Sequence, residues 1–268
     1  MDGLIYLYGL VPARETEQQP LPALKGFDGK GEIYTVPIGS IAAIICSLDP
    51  IEYSEEVIKD KTNNDMEWLR EKAFHHHETA LKLSKLYTLI PLKFCTLYKN
   101  QASLEKAVQS NEAKMLDTLD LITGNEEWNL KIYCDDKLLK EKVSQSNPTI
   151  EAKREEISQL PKGKQFFEKK KLDKLIESEL QEEKNRVSER IHEHLQQYTL
   201  KGTNKRTWNK DVTGRKENMT WNSVYLISVP RVEEFLEQIQ EYEKEMKKKG
   251  WQFEASGPWP AYHFSCFS

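Results

Sequence analysis

The chain has 268 residues, enough for one large domain or two ordinary ones with real cores. Only 38% of the residues are apolar and 31% are charged, so some segments must be solvated, and the net charge of −4 argues against a general nucleic-acid binder. No apolar run approaches a membrane span, and Leu4-Ile5-Tyr6-Leu7-Tyr8 follows no basic region, so neither a spanning helix nor a secretory leader is expected.

Residues 4–10 read as a first strand, followed by a Pro- and Gly-rich loop ending in Gly26-Phe27-Asp28-Gly29-Lys30-Gly31. Residues 32–36 and 41–48 read as two further strands, joined at Pro37-Ile38-Gly39. The short, continuously apolar run Ile41-Ala42-Ala43-Ile44-Ile45-Cys46 marks a buried central strand. Ser54-Glu55-Glu56 opens a short helix. Asn64, with Glu67 three residues on, is the expected capping box of a longer helix reaching about Tyr87. Its core face would be Leu69, Ala73, His76, Ala80, Leu83 and Tyr87, spaced by three and four. Pro91 stops that helix, and 92–97 reads as a strand. One helix over about 102–122 would bury Leu104, Val108, Met115 and Leu119, with Gly124 closing it. Glu126-Glu127 marks the expected boundary between an N-terminal α+β domain, 1–126, and a second domain, 127–268.

The second half has a different texture. Trp128, Leu130, Ile132 and Cys134 alternate with polar positions, as in a half-buried strand, and 136–145 reads as a helix. Residues 151–200 carry 11 acidic and 11 basic side chains, a balance that suits exposed helices with many (i, i+4) pairs. Pro161 and Gly163 divide this stretch into a charged helical hairpin at about 149–200. Its second arm keeps a thin apolar seam: Phe166, Leu172, Ile176, Leu180, Val187, Ile191, Leu195 and Tyr198. As one helix over 164–199 it would reach roughly 54 Å, so part of it should project or carry a partner. Residues 201–208 include a strand within a basic connector, 224–229 is a clean strand, 231–249 a helix ended by Gly250, and 251–255 the last strand. Strand-helix-strand-strand-helix-strand is the ferredoxin-like order. The expected fold class is α+β, its second domain ferredoxin-like and modified by the long helical insertion.

The residues that could carry chemistry do not assemble into a known site. Adjacent helical residues diverge by about 100°, so His75, His76 and His77 cannot converge on one ion, and Thr79 stands where a helical zinc motif needs its second histidine. One of the three should lie on the core face and the others at the surface. His192 and His194 read as surface residues of the charged helix. Cys46, Cys95, Cys134 and Cys266 are widely spaced in apolar contexts and read as reduced core residues of a cytosolic protein. Cys95 can be proposed as the nucleophile of a small hydrolase or transferase, with a distant base such as His263, but nothing local lowers its pKa. Gly26, Gly29 and Gly31 match no phosphate-binding loop and read as a turn. The basic connector with Trp208 is a rival nucleic-acid reading. The expectation is no enzyme: no catalytic residue, no metal, no cofactor.

The chain closes on the cassette Gly257-Pro258-Trp259-Pro260-Ala261-Tyr262-His263-Phe264. Proline fixes φ and pushes the preceding residue into extended geometry, so this is a stiff strip. Trp259, Tyr262 and Phe264 either plug the end of the second core and close the edge of its sheet, or dock on another protein, where Trp and Tyr are favoured anchors.

The cassette resembles the C-terminal signature of the gas vesicle protein F/L family. Further segments, in order, are similar to the same family: Tyr6-Leu7-Tyr8-Gly9-Leu10-Val11, His76-His77 with Pro91-Leu92-Lys93-Phe94-Cys95-Thr96, Glu127-Trp128-Asn129-Leu130-Lys131-Ile132-Tyr133, and Gly163-Lys164-Gln165-Phe166-Phe167-Glu168-Lys169. Lys93-Phe94-Cys95-Thr96 and the histidine run are closer to the family's L branch, as in bacilli, than to its F branch. The resemblance implies an accessory protein for assembling gas vesicles, cytoplasmic and vesicle-associated. It implies two α+β domains, the second a modified ferredoxin-like one. The implied partners are the very hydrophobic structural subunit and other accessory proteins, with no nucleic acid and no membrane. No catalytic residues carry over. Candidate partner-binding or signature residues are Trp259, Tyr262, Phe264, Phe166 and Phe167.

Overall fold

The computed structural model of the protein describes residues 3–265, so the expectation for Cys266 lies outside the described residues. Contacts divide the chain into two units: Met1–Glu127 together with Pro258–Ser268, and Trp128–Gly257. The last residues thus group with the first unit, where the sequence reading assigned everything after residue 126 to the second.

The first unit is built on β1 (Leu4–Pro12), β2 (Tyr34–Ile38), β3 (Ile41–Leu48), β4 (Ile90–Pro91) and β5 (Leu97–Tyr98). The sheet order is β2-β3-β1-β4, with β5 also pairing β1, and these pairs are antiparallel. Helices α1 (Ala13–Gln18), α2 (Glu55–Asn64), α3 (Met66–Leu86), α4 (Gln101–Ser110) and α5 (Glu112–Ile122) complete it. Alternation sorts the strand side chains. Ile5, Leu7, Ala43 and Ile45 share a core with Leu104, Val108, Met115 and Leu119 of α4 and α5. Tyr6, Tyr8, Ala42, Ile44 and Cys46 share the opposite core with Ile58, Ala80 and Leu83 of α2 and α3. Both faces are covered, which is why the β3 run is continuously apolar.

A register shift between Leu7 and Gly9 inverts the alternation, so Leu10 joins the face of Leu7 and Val11 that of Tyr8. Gly9 is needed there, because a Cβ would lie 2.4 Å from a Leu89 methyl and 2.9 Å from the Ile90 carbonyl.

Three local expectations for this unit are corrected. The cap of α3 is Asp65, whose Oδ1 accepts the Trp68 N–H at 2.9 Å, while Asn64 ends α2 and bonds Asp60. Residues 92–97 are not a strand. The chain leaves the sheet after Pro91, turns with Cys95 at φ 61°, and re-enters at Leu97. The single helix expected over 102–122 breaks at Asn111, which ends α4 and starts α5.

The second unit runs β6 (Asn125–Cys134), α6 (Asp136–Ser146), α7 (Pro148–Ser158), α8 (Lys162–Gln196), β7 (Lys201–Asn204), α9 (Lys210–Thr213), β8 (Asn218–Ser228), α10 (Val232–Met246) and β9 (Trp251–Trp259). Its sheet order is β7-β8-β6-β9. Leu130, Ile132, Tyr225, Ile227 and Trp251 face one core, which they share with Leu139 and Val143 of α6, Ile150 of α7, Phe235 and Ile239 of α10, and the inner face of α8. The charged stretch at about 149–200 is α7 and α8, divided at Pro161, and the separate helix α6 packs against α8 as α7 does. The seam of α8 holds from Leu172 to Leu195, but Phe166 is not in it and stands 62% exposed.

Candidate functional site

In the first unit the residues with chemical potential are gathered under α3. His76 is 3% exposed. Its Nε2–H donates to the Leu92 carbonyl at 3.1 Å, which leaves Nδ1 to accept the Tyr6 O–H at 2.8 Å. The Tyr6 oxygen in turn accepts the Cys95 N–H at 3.3 Å. This chain of bonds pairs the Leu92 carbonyl and the Cys95 N–H and so ties both ends of the turn in which Cys95 is left-handed. Burial pushes the His76 pKa down to about 4, with His75 and His77 adding to the push and the Leu92 carbonyl opposing it. Burial also raises the Tyr6 and Tyr8 hydroxyls far above the usual tyrosine value.

The other two histidines are engaged as well. His75 is half-buried with Nε2 3.1 Å from the Tyr8 hydroxyl, and the His77 ring lies 5.5 Å from that of Trp259. The surface positions expected for them are corrected to half-buried ones with ring partners.

Cys95 sits beside this network half-buried, its thiol pushed up to about 11 by burial. A nucleophilic cysteine needs the opposite shift. Cys46 and Cys134 are buried and likewise raised by burial, to about 11 and about 12. Among the described residues no group of three or more His, Cys, Asp or Glu side chains is placed to hold a metal ion.

The C-terminal strip is woven into the first unit. The Trp259 ring is half-buried against His77, and Ala261 belongs to the core of α4 and α5. Tyr262 packs against the opposite core, its hydroxyl 3.4 Å from His76 Nε2 and pushed up to about 12, burial first and Glu127 second. Buried Glu127 accepts the His263 N–H at 2.8 Å, and Phe264 is half-buried with its ring edge-on to His263. Trp259 ends β9, an edge strand of the second sheet, but its ring does not plug the second core.

In the second unit His192 and His194 are not surface residues. His192 is buried, with Nδ1 2.6 Å from the Tyr225 hydroxyl, and His194 Nδ1 is 2.9 Å from that of Tyr242. A cleft of about 970 Å³ opens between α8, the 206–212 connector and the start of β8, lined by Lys184, Arg206, Trp208, Asn218 and Thr220 among others. Lys184, 6% exposed, pairs there with Asp136 at 2.6 Å, and Asp136 also accepts the Asn218 amide at 2.6 Å. Sequence reasoning missed this group, because spacings of 48 and 34 residues carry no local signal.

Of the five candidate residues, Phe166 and Phe167 are the exposed ones, at 62% and 69%, while Trp259, Tyr262 and Phe264 are half-buried. They stand on the first turns of α8 with rings 5.8 Å apart and edge-on. The strip and this pair are two separate features: the strip packs within the first unit, and the pair is exposed on the second.

No helix is long and apolar enough to cross a membrane among the described residues. Residues 4–265 match the family described as gas vesicle synthesis protein GvpL/GvpF. Gas vesicle protein L of a Streptomyces strain is 19% identical over 227 residues, 85% of this chain and 80% of that protein. Among solved structures, GvpF of an Anabaena species superposes with a TM-score of 0.76 at 19% identity over 99% of both chains. GvpF of Microcystis aeruginosa does so with 0.67 at 17% identity over 100% of both. At such identities the structural likeness shows the fold, and the family follows from the match that runs through both units. The chain belongs to the gas vesicle synthesis protein GvpL/GvpF family.

Proposed function

We propose that this protein is a non-enzymatic accessory factor of gas vesicle assembly, acting at the vesicle by binding the hydrophobic structural subunit, other accessory proteins, or both. The observation that carries the reading is the exposed Phe166–Phe167 pair on a helix otherwise covered with charge. A hydrophobic subunit aggregates through apolar surface before it is assembled, and a charged carrier with a small apolar contact can hold it without joining the aggregate. We further read the two units as the family's two α+β domains. The second has the ferredoxin-like element order, with α7 and α8 as its insertion.

Co-purification of tagged full-length chain with the structural subunit from vesicle-forming cells tests the reading. Recovery of the chain without any gas vesicle protein would sink it.

The alternative, a small hydrolase or transferase using Cys95, has the thiol's raised pKa against it. Vesicle formation that survives Cys95→Ala removes that alternative; loss of vesicles with a folded variant would revive it.

A further inference from the structure

The start of α8 lacks both a side-chain N-cap and an acidic first-turn residue, whereas α1, α5 and α10 lack only the cap and α4 only the acid. Helices α2, α3, α4, α6, α7 and α9 each have a side-chain N-cap, from Ser54, Asp65, Asn100, Asp135, Asn147 and Asn209. Helix α8 starts at Pro161 with no side-chain cap and no acidic residue in its first turn. Its first turn instead carries Lys162, Gly163 and Lys164, and positive charge opposes the helix dipole at this end. A helix N-terminus built against its own stability points to another use of the sequence there.

That use is written in the side chains. Residues 162–174 hold six lysines (162, 164, 169, 170, 171 and 174) against Glu168 and Asp173. Glu168 is already engaged by Lys171 at 2.6 Å and by Lys153 at 3.7 Å. Lys162, Lys164, Lys169 and Lys174 are exposed and have no acidic partner among the described residues. Phe166 and Phe167 stand among them, with the Lys170 ammonium 5.3 Å from the Phe166 ring. The tip is held rigidly: the Gln165 amide bonds the Leu160 carbonyl at 2.8 Å across the turn from α7, and Ile157 of α7 is buried. The first fully buried residue of α8 itself is Ile176.

We propose that this basic, diphenylalanine tip is a docking surface for an acidic amphipathic helix of a partner protein. The phenyl rings enter its apolar stripe and the lysines before and after them meet its carboxylates. The complementarity is specific to a short segment. Basic charge ends within about four turns, where Glu177, Glu179, Glu182 and Glu183 take over. A polyanion would run on into that acidic stretch, whereas a partner helix of a few turns would not. The inference rests on the assembly reading only in taking the partner to be a protein.

The test uses the purified full chain and a synthetic helical peptide with leucines at helical spacing and glutamates on its polar face. The controls are the same peptide with lysine for glutamate, phosphatidylglycerol vesicles and a single-stranded oligonucleotide. The glutamate peptide is expected to bind and the lysine peptide not to, with affinity falling as salt rises. Phe166→Ser with Phe167→Ser should weaken binding about tenfold or more at an unchanged unfolding midpoint. Lys162→Glu with Lys164→Glu should weaken binding while raising the midpoint, because the charges then suit the dipole. A purely structural tip cannot move the two readouts in opposite directions.

The proposal is overturned if the glutamate peptide does not bind, or if it binds equally well to the double-phenylalanine variant. It is also overturned if those phenylalanines govern only vesicle binding, oligonucleotide binding or self-association in sedimentation. Peptide binding without co-purification of any gas vesicle protein would sink the assembly reading and leave this one standing.

Discussion

His76 shows how one buried residue organises its surroundings. It bonds Leu92 on one side and Tyr6 on the other, and Tyr6 holds the Cys95 turn. Tyr6→Phe removes the shared hydroxyl and leaves two buried polar groups unpaired, which should cost about 1–3 kcal/mol in urea titrations. The same site predicts a pH dependence. His76 titrates near 4 in the fold against 6.5 in the unfolded chain, because burial disfavours its charged form. Above the unfolded value both states are neutral and the contribution is intact. As pH falls from there toward 4, the unfolded chain takes a proton that the fold refuses, and stability is lost. The full loss is about 3 kcal/mol. Comparing the wild type with His76→Gln at about pH 7 and about pH 4.5 isolates this residue, and equal slopes would remove it as the cause. Tyr6, Tyr8 and Tyr262 lie against the His76 ring, His75 and His77 act on its charge, and all five are present in both proteins. Trp259→Ala, by contrast, should cost about 1–2 kcal/mol, below the range of a fully buried aromatic, because its ring is only half-buried. An unfolding midpoint shifted by more than Tyr6→Phe shifts it would show that the strip carries more of the fold than its burial implies.

At the scale of elements, α8 is one helix with two characters. From Ile176 to Leu195 it is the inner wall of the second core, and before that it is a lysine-rich tip. Gly163 lies in its first turn, where an added Cβ meets nothing within 4 Å. Gly163→Ala should therefore raise stability by up to about 1 kcal/mol through propensity alone. A lowered unfolding midpoint would show that the glycine has a conformational duty there. The amphipathic seam that predicted this helix was visible because its period continues over many turns. Phe166 fell into the same period by chance of spacing, and only the structure shows it exposed and outside the core. The break at Asn111 was invisible for the opposite reason, since apolar spacing continues across it and no proline or glycine marks it.

For the whole molecule, Pro258–Ser268 group with the first unit after β9 has run through the second sheet. A chain ending at Gly257 should lose protection from hydrogen exchange in β1 and α3, which Tyr262 packs against, and keep it in α8 and β8. Loss confined to the second unit would overturn that assignment.

Alternation, turn residues and helical spacing by themselves determined most strands and helices, because these are local patterns of a few residues, while the family came from the resemblance of the cassette and the other motifs. Tertiary structure alone decided which aromatic residues are buried and which are exposed. It brought Tyr6, His76 and Tyr262 together across 70 and 186 residues, and it left Phe166 and Phe167 outside. The physical reason is that burial depends on what the rest of the chain brings to a side chain, and an aromatic residue carries the same apolar surface in either place.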